Sequence, residues 1–146
     1  MLLRNQIVLA AAVVAIFYGL RTRFDVADAD APKPIMMTRI YTGPDGLSHA
    51  EEMPMKLSDR GVSEMFKAKG AEFSRRSPGA VSDWHVGPRR QYVITLSGRA
   101  ELTVAGGKKV SVGPGHITLI EDTTGKGHLT QNLGPDDRIV VTIPLE

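Results

Sequence analysis

From Ile35 onward, apolar and polar residues alternate in short runs broken by Gly, Pro and Asp. Alternation of this kind marks strands with one face buried. MMTRIYTG predicts a strand closed by Gly43-Pro44-Asp45-Gly46. Further strands are expected in AEFSRRS, SDWHV, QYVITLS, RAELTVA, KKVSV, HITLIED, HLTQN and RIVVTIPL. Ala105-Gly106-Gly107-Lys108 is a hairpin signal between RAELTV and KVSV. Leu57 to Lys69 has helix-compatible spacing, with Val62, Met65 and Phe66 at offsets of three and four. Strands this short and closely spaced predict an antiparallel sandwich or barrel. The period of two places Gln91, Val93 and Thr95 on one strand face and Tyr92, Ile94 and Leu96 on the other.

The first 34 residues have a different pattern. Residues 7–20, IVLAAAVVAIFYGL, are apolar and uncharged, with Arg4 before them and Arg21 and Arg23 after. As helix they span about 21 Å, and counting from Leu2, with Arg4 reaching the headgroups, gives a length that can cross a bilayer. A cleaved signal peptide, with Ala27-Asp28-Ala29 as its cleavage pattern, is the competing expectation. Two arginines before that pattern and three aspartates before, within and just after it (Asp25, Asp28 and Asp30) favour an uncleaved single-pass anchor. The partition expected is an anchor or signal segment over 1–23, a linker over 24–34 and a β domain over 35–146. The linker, FDVADADAPKP, cannot build a core, and its prolines keep it extended. Counting positive charges slightly favours a cytoplasmic domain. The short charged tail before the apolar run points the other way, and a periplasmic or otherwise extracytoplasmic domain is expected.

Composition narrows the function classes. The 146 residues include 18 basic and 16 acidic side chains, for a net charge of +2. The basic pairs Arg75-Arg76, Arg89-Arg90 and Lys108-Lys109 are scattered. No basic tract is long enough for a nucleic-acid footprint. There is no cysteine, which excludes disulfides, thiolate metal sites and a cysteine nucleophile. GKGH at 125–128 is not a phosphate loop: a Walker lysine needs G-x4-G-K-[ST] leading into a helix, and the residue after Gly127 is a histidine entering a strand. The chain contains neither H-E-x-x-H nor G-x-S-x-G.

Two histidine-bearing segments carry the candidate chemistry. Gly79-x5-His85-x-Gly87-x3-Gln91-x6-Gly98 resembles the first motif of the cupins, G-x5-H-x-H-x3-E-x6-G. Gly125-x2-His128-x3-Asn132 is similar to the end of the second, G-x2-H-x3-N, and Gly113-Pro114-Gly115 stands where cupins turn into the strand before it. The resemblance runs from about Ala71 to Leu145. It implies an all-β fold, a cupin jelly-roll barrel, here preceded by a transmembrane helix and short linker. It also implies a dimer as one common assembly.

In a metal-binding cupin the two motifs supply three histidines and a glutamate. Here Gly87 takes one histidine position and Gln91 takes the glutamate position. EDTTGKGH is two residues longer than usual, so a displaced His128 is expected. The metal set that remains is His85, Gln91 and His128, with no anionic ligand. The cofactor is either none or a divalent Fe, Mn, Ni or Zn ion. The resemblance places Gln91 and His128, with Thr130 and Asn132, inside the barrel, and the two imidazoles facing one another across its hollow. Ligand-binding candidates are Arg89, Arg90, Gln91 and Asn132. Either arginine could instead pair with Asp83, Glu121 or Asp122. Trp84 is expected on the outer side of its strand, as a core or interface anchor. The loop 121–128 could bind a small ligand or form a structured turn in which Asp122 accepts from backbone amides.

Two functions follow from these readings. The first is a membrane-tethered, non-catalytic module that binds a small ligand or serves as an accessory subunit of a membrane complex. The second is a metal-dependent cupin enzyme, of oxygenase or isomerase type, acting on a small polar or anionic substrate. The expected partners are the membrane, through the amino-terminal helix, and a membrane-protein complex or a second copy of the chain, with no nucleic acid.

Overall fold

The computed structural model describes residues 33–146. The expected anchor over 1–23 and most of the linker lie outside the described residues. Among the described residues no helix is long and apolar enough to cross a membrane.

Ten strands follow in order: β1 (Met36–Thr42), β2 (Ser48–Pro54), β3 (Glu72–Arg76), β4 (Val81–His85), β5 (Gln91–Ser97), β6 (Arg99–Thr103), β7 (Lys109–Val112), β8 (Ile117–Glu121), β9 (His128–Leu133) and β10 (Arg138–Pro144). They form a six-stranded sheet, β2-β1-β8-β5-β10-β3, and a four-stranded sheet, β4-β9-β6-β7. Between β3 and β10 the chain changes sheet at every connection except the β6–β7 hairpin. This is jelly-roll topology, all antiparallel apart from the β1–β8 pair. The β6–β7 hairpin turns through Ala105–Gly107, where Gly106 and Gly107 take positive φ, as the Gly-Gly pair predicts.

One expectation is corrected. Residues 57–69 form no helix: Ser58 and Val62 close a turn, with Gly61 at φ +73° inside it. The offsets that suggested a helix do not build a buried stripe, because Val62 and Met65 are 62% and 96% exposed. Only Phe66 packs inward, its ring 5.1 Å from that of Tyr92. A strand absent from the expected set is β2, SHAEEMP, a polar edge strand without alternation strong enough to be read. It pairs with β1 in unbroken register from Met36–Pro54 to Thr42–Ser48.

The larger sheet is covered on both faces. Met37, Tyr92, Leu119 and Leu145 form an outer cluster, joined by Met53, Met55 and Phe66. The inner cluster, between the sheets, contains Ile40, Ala50, Ala100, Leu102, Val104, Val112 and Ile120. Ile40 is fully buried there, and burial of such a side chain contributes about 1.5–3 kcal/mol. Apolar packing fills only part of the space between the sheets. Elsewhere the inward faces carry buried polar groups, including Gln91, Thr95, Thr118, His128, Asn132 and Arg138. Burying so many polar groups is unfavourable unless they find partners, and it leaves a polar cavity.

Candidate functional site

The cavity between the sheets has a volume of about 150 Å³. His85 from β4, His128, Thr130 and Asn132 from β9, and Gln91 and Val93 from β5 all line it. The inward face expected for β5 is therefore the one observed, and His85, Gln91, His128 and Asn132 share one cavity.

The two histidines meet differently from expectation. They do not face each other across the hollow: β4 and β9 are neighbours, and His85 and His128 are direct cross-strand partners. Their rings lie 4.6 Å apart, centroid to centroid, with planes inclined at 54°. Nor is His128 displaced by the longer loop before it. That loop folds tightly at Gly127, where φ is +75° and a Cβ would collide with the His85 carbonyl. Only glycine lets the chain pass this close to β4 and deliver His128 opposite His85.

Each imidazole is held by its Nδ1. His85 Nδ1 lies 2.6 Å from the Asp83 carbonyl oxygen, and His128 Nδ1 lies 2.7 Å from Asp122 Oδ2. A carbonyl or carboxylate oxygen can only accept, so Nδ1 carries the proton in both rings. In the neutral rings Nε2 then keeps its lone pair. His128 is 4% exposed and Asp122 is completely buried, whereas His85 sits at the solvent-exposed mouth. Ser48 Oγ also donates to Asp122 Oδ2 at 2.8 Å, and the Gly87 N–H donates to the Asp122 carbonyl at 3.0 Å. Asp122 Oδ1 has no hydrogen-bond partner. Asp122 is thus the anchor of His128, a role the sequence did not reveal. The only cue was an acid six residues before the histidine. The rest of its loop folds down: Thr42 donates to the Thr124 carbonyl, and Lys126 Nζ sits 4.5 Å above the Trp84 ring.

The remaining predicted ligands divide. Asn132 Nδ2 donates to the Ser77 carbonyl at 3.0 Å, so part of its amide serves the fold. Gln91 Oε1 accepts a long bond, 3.4 Å, from Arg89 Nε. Neither Arg89 nor Arg90 lines the cavity. Arg89 reaches towards Glu72 at the surface. Arg90 turns to the other side of the sheet and donates to Glu121 at 2.6 Å, opposite Arg39, which donates to the second oxygen of the same carboxylate. Burial pushes the Glu121 carboxyl up, but these two guanidiniums outweigh it and hold it below the ordinary range. Alternation explains the outcome for Arg90: one residue before inward-facing Gln91, it faces out.

The arginine buried in the cavity is Arg138, at the start of β10. It is 6% exposed. Its Nη2 donates to Thr95 Oγ1 at 3.0 Å, and its Nε has no partner. Its cross-strand partner on β3 is Arg76, which also lines the cavity. Burial, and then the Arg76 charge, lower the Arg138 pKa. The sequence reading missed it because an arginine after Pro135-Asp136-Asp137 resembles a solvated turn residue.

A resident divalent metal does not fit these residues. The imidazole pair has the tied Nδ1 of metal-ligating histidines. The remaining candidate is the neutral amide of Gln91, and the cavity lining includes no carboxylate but two guanidiniums. Among the described residues no three His, Cys, Asp or Glu side chains gather as a metal-binding group. Space is closed at Gly87 too, where a Cβ would run into Ile120 Cγ2, with Asp122 Oδ1 3.4 Å away. Ile120 occupies the room that a side chain at position 87 would need.

No protein-family model matches the chain, and no curated protein matches it. Solved structures align weakly. A Klebsiella pneumoniae uncharacterized conserved protein with a double-stranded β-helix domain is 22% identical over 54% of this chain and 73% of its own, with a TM-score of 0.42. The Schizosaccharomyces pombe Cnp3 cupin domain is 13% identical over 78% and 86%, at 0.43. A Thermotoga maritima protein described as a predicted oxalate decarboxylase is 19% identical over 76% and 94%, at 0.41. By the order of its own strands and the placing of its two histidine segments, the described domain is a cupin-like jelly roll.

Proposed function

We propose that the domain is a small-ligand-binding module whose site is the cavity between the sheets, used without a resident metal. The observation that carries this reading is the lining: paired imidazoles, an amide and hydroxyls converge on a space of about 150 Å³ with no anionic metal ligand among them. Such a cavity suits a molecule of roughly benzene size. The apolar run at 7–20 with its flanking arginines supports a membrane-tethered module, either a ligand sensor or an accessory subunit, and the short charged tail before that run favours the extracytoplasmic side. The test is a screen of small polar molecules against the full chain in chelator, followed by amide and histidine NMR shifts. Shifts confined to cavity-lining residues, His85, Gln91, His128, Thr130, Asn132 and Arg138 among them, are expected. Ligands that perturb only surface positions would overturn the reading.

One observation favours an enzyme instead. Asp122 orients His128 as an acid/base group is oriented, with Nε2 available at the cavity. Conversion of a bound ligand, abolished by His128→Gln while binding survives, would select that alternative.

A further inference from the structure

We infer that the cavity takes a compact hydroxy acid, its carboxylate held by Arg138 and Arg76 and its hydroxyl by the His85–His128 pair. The inference rests on the ligand-cavity reading and names the ligand class.

The charge pattern carries the first half. Arg76 and Arg138 stand directly opposite each other on β3 and β10, and both line the cavity. Like charges in register repel, and a guanidinium cannot shed its proton to relieve this. Neither arginine takes part in any ion pair among the described residues, although neighbouring Arg75 pairs with Asp137 on the outer side. Arg138 is more than nine-tenths buried, with Nε unpartnered. No aspartate or glutamate lines the cavity to compensate it. A carboxylate supplies what is missing: negative charge and a planar pair of acceptors matched to a guanidinium fork.

The histidine tautomers carry the second half. With both Nδ1 protons committed to Asp83 and Asp122, the neutral rings offer two acceptors and no donor to a ligand. A hydroxyl complements acceptors; a second carboxylate does not. A cavity of about 150 Å³ holds roughly six to eight heavy atoms, which a compact hydroxy acid fills.

The test uses glycerate with two matched controls, glycerol without the carboxylate and propionate without the hydroxyls. Each is titrated into the full chain in chelator at neutral pH. Glycerate is expected to bind about tenfold or more tightly than either control. Arg138→Met should erase its advantage over glycerol, with the loss of the Thr95 hydrogen bond offset in unliganded melting by removal of a buried unpaired charge. Arg76→Gln, at the more exposed position, should reduce the same advantage and guards against a folding failure in the first variant. His128→Leu should erase the advantage over propionate. Glycerate binding no better than glycerol, or unaffected by both arginine changes, overturns the inference. Inorganic phosphate binding as tightly as glycerate overturns the carboxylate assignment. Neutral polyols binding at the histidines without carboxylate preference would sink this inference alone; no ligand of any class entering the cavity would sink the ligand-cavity reading as well.

Discussion

Asp122 and His128 share a buried hydrogen bond of 2.7 Å across only six positions of chain, and that bond decides which nitrogen of His128 faces the cavity. The same carboxylate oxygen accepts from Ser48 Oγ, tying β2 to the loop before β9. One buried acid therefore fixes both a functional side chain and an edge of the fold.

Removing that acid should therefore be expensive. Asp122→Ala leaves the His128 and Ser48 donors unsatisfied and is expected to lower unfolding stability by about 3 kcal/mol in urea denaturation. Asp122→Asn retains one acceptor and should lose about half as much. Equal stability of all three proteins would show that the bond does not support the fold.

Gly87 cannot accept a side chain while Ile120 stays in place. Gly87→Ala is expected to destabilise by about 1–3 kcal/mol through overpacking. Removing the clashing methyl in Gly87→Ala/Ile120→Ala should cost less than the two single losses added together, seen as positive coupling in a double-mutant cycle. Gly87→His alone should not create a metal site. A stable Gly87→His protein that binds zinc would refute this explanation of the motif's departure.

Acid should unfold the domain in two stages. His116, on the turn into β8 and hydrogen-bonded to Thr38, has its pKa lowered, chiefly by burial. The folded state binds its proton less readily than the unfolded chain. Its contribution is complete above pH about 6.5 and falls below it. Glu121, depressed by Arg90 and Arg39 against the opposing effect of burial, adds stability that is complete above about 4.5 and falls as pH drops towards its folded value. Melting temperature against pH should therefore begin to fall below about 6.5 and lose a further contribution below about 4.5. His116→Gln should flatten the first slope and Glu121→Gln the second, and a profile unchanged by both variants would contradict the assignment.

Much of the fold was legible because period-two alternation and glycine punctuation are local signals. QYVITLS and RIVVTIPL could hardly be anything but strands. β2 was not legible, since an edge strand with one exposed face needs neither β-branched residues nor a strict pattern, and SHAEEMP has neither. His85, Gln91, His128 and Asn132 were found through motif spacing. Their arrangement was not, because spacing does not show that β4 and β9 are neighbours. Ser48 and Asp122 are 74 positions apart, and Arg76 and Arg138 meet only through the β3–β10 register. Arg89 and Arg90 drew attention by lying beside the motif, but alternation turns Arg90 outward to Glu121. Long-range pairing separates an arginine at the surface from one in the cavity.

The most direct test of the ligand cavity as a site without a resident metal is elemental analysis of the full chain purified without added metal or chelator. The account predicts iron, manganese, nickel and zinc all far below one ion per chain, with no change in His85→Ala or His128→Ala. Near-stoichiometric content of any one of them, lost in both variants, would contradict it.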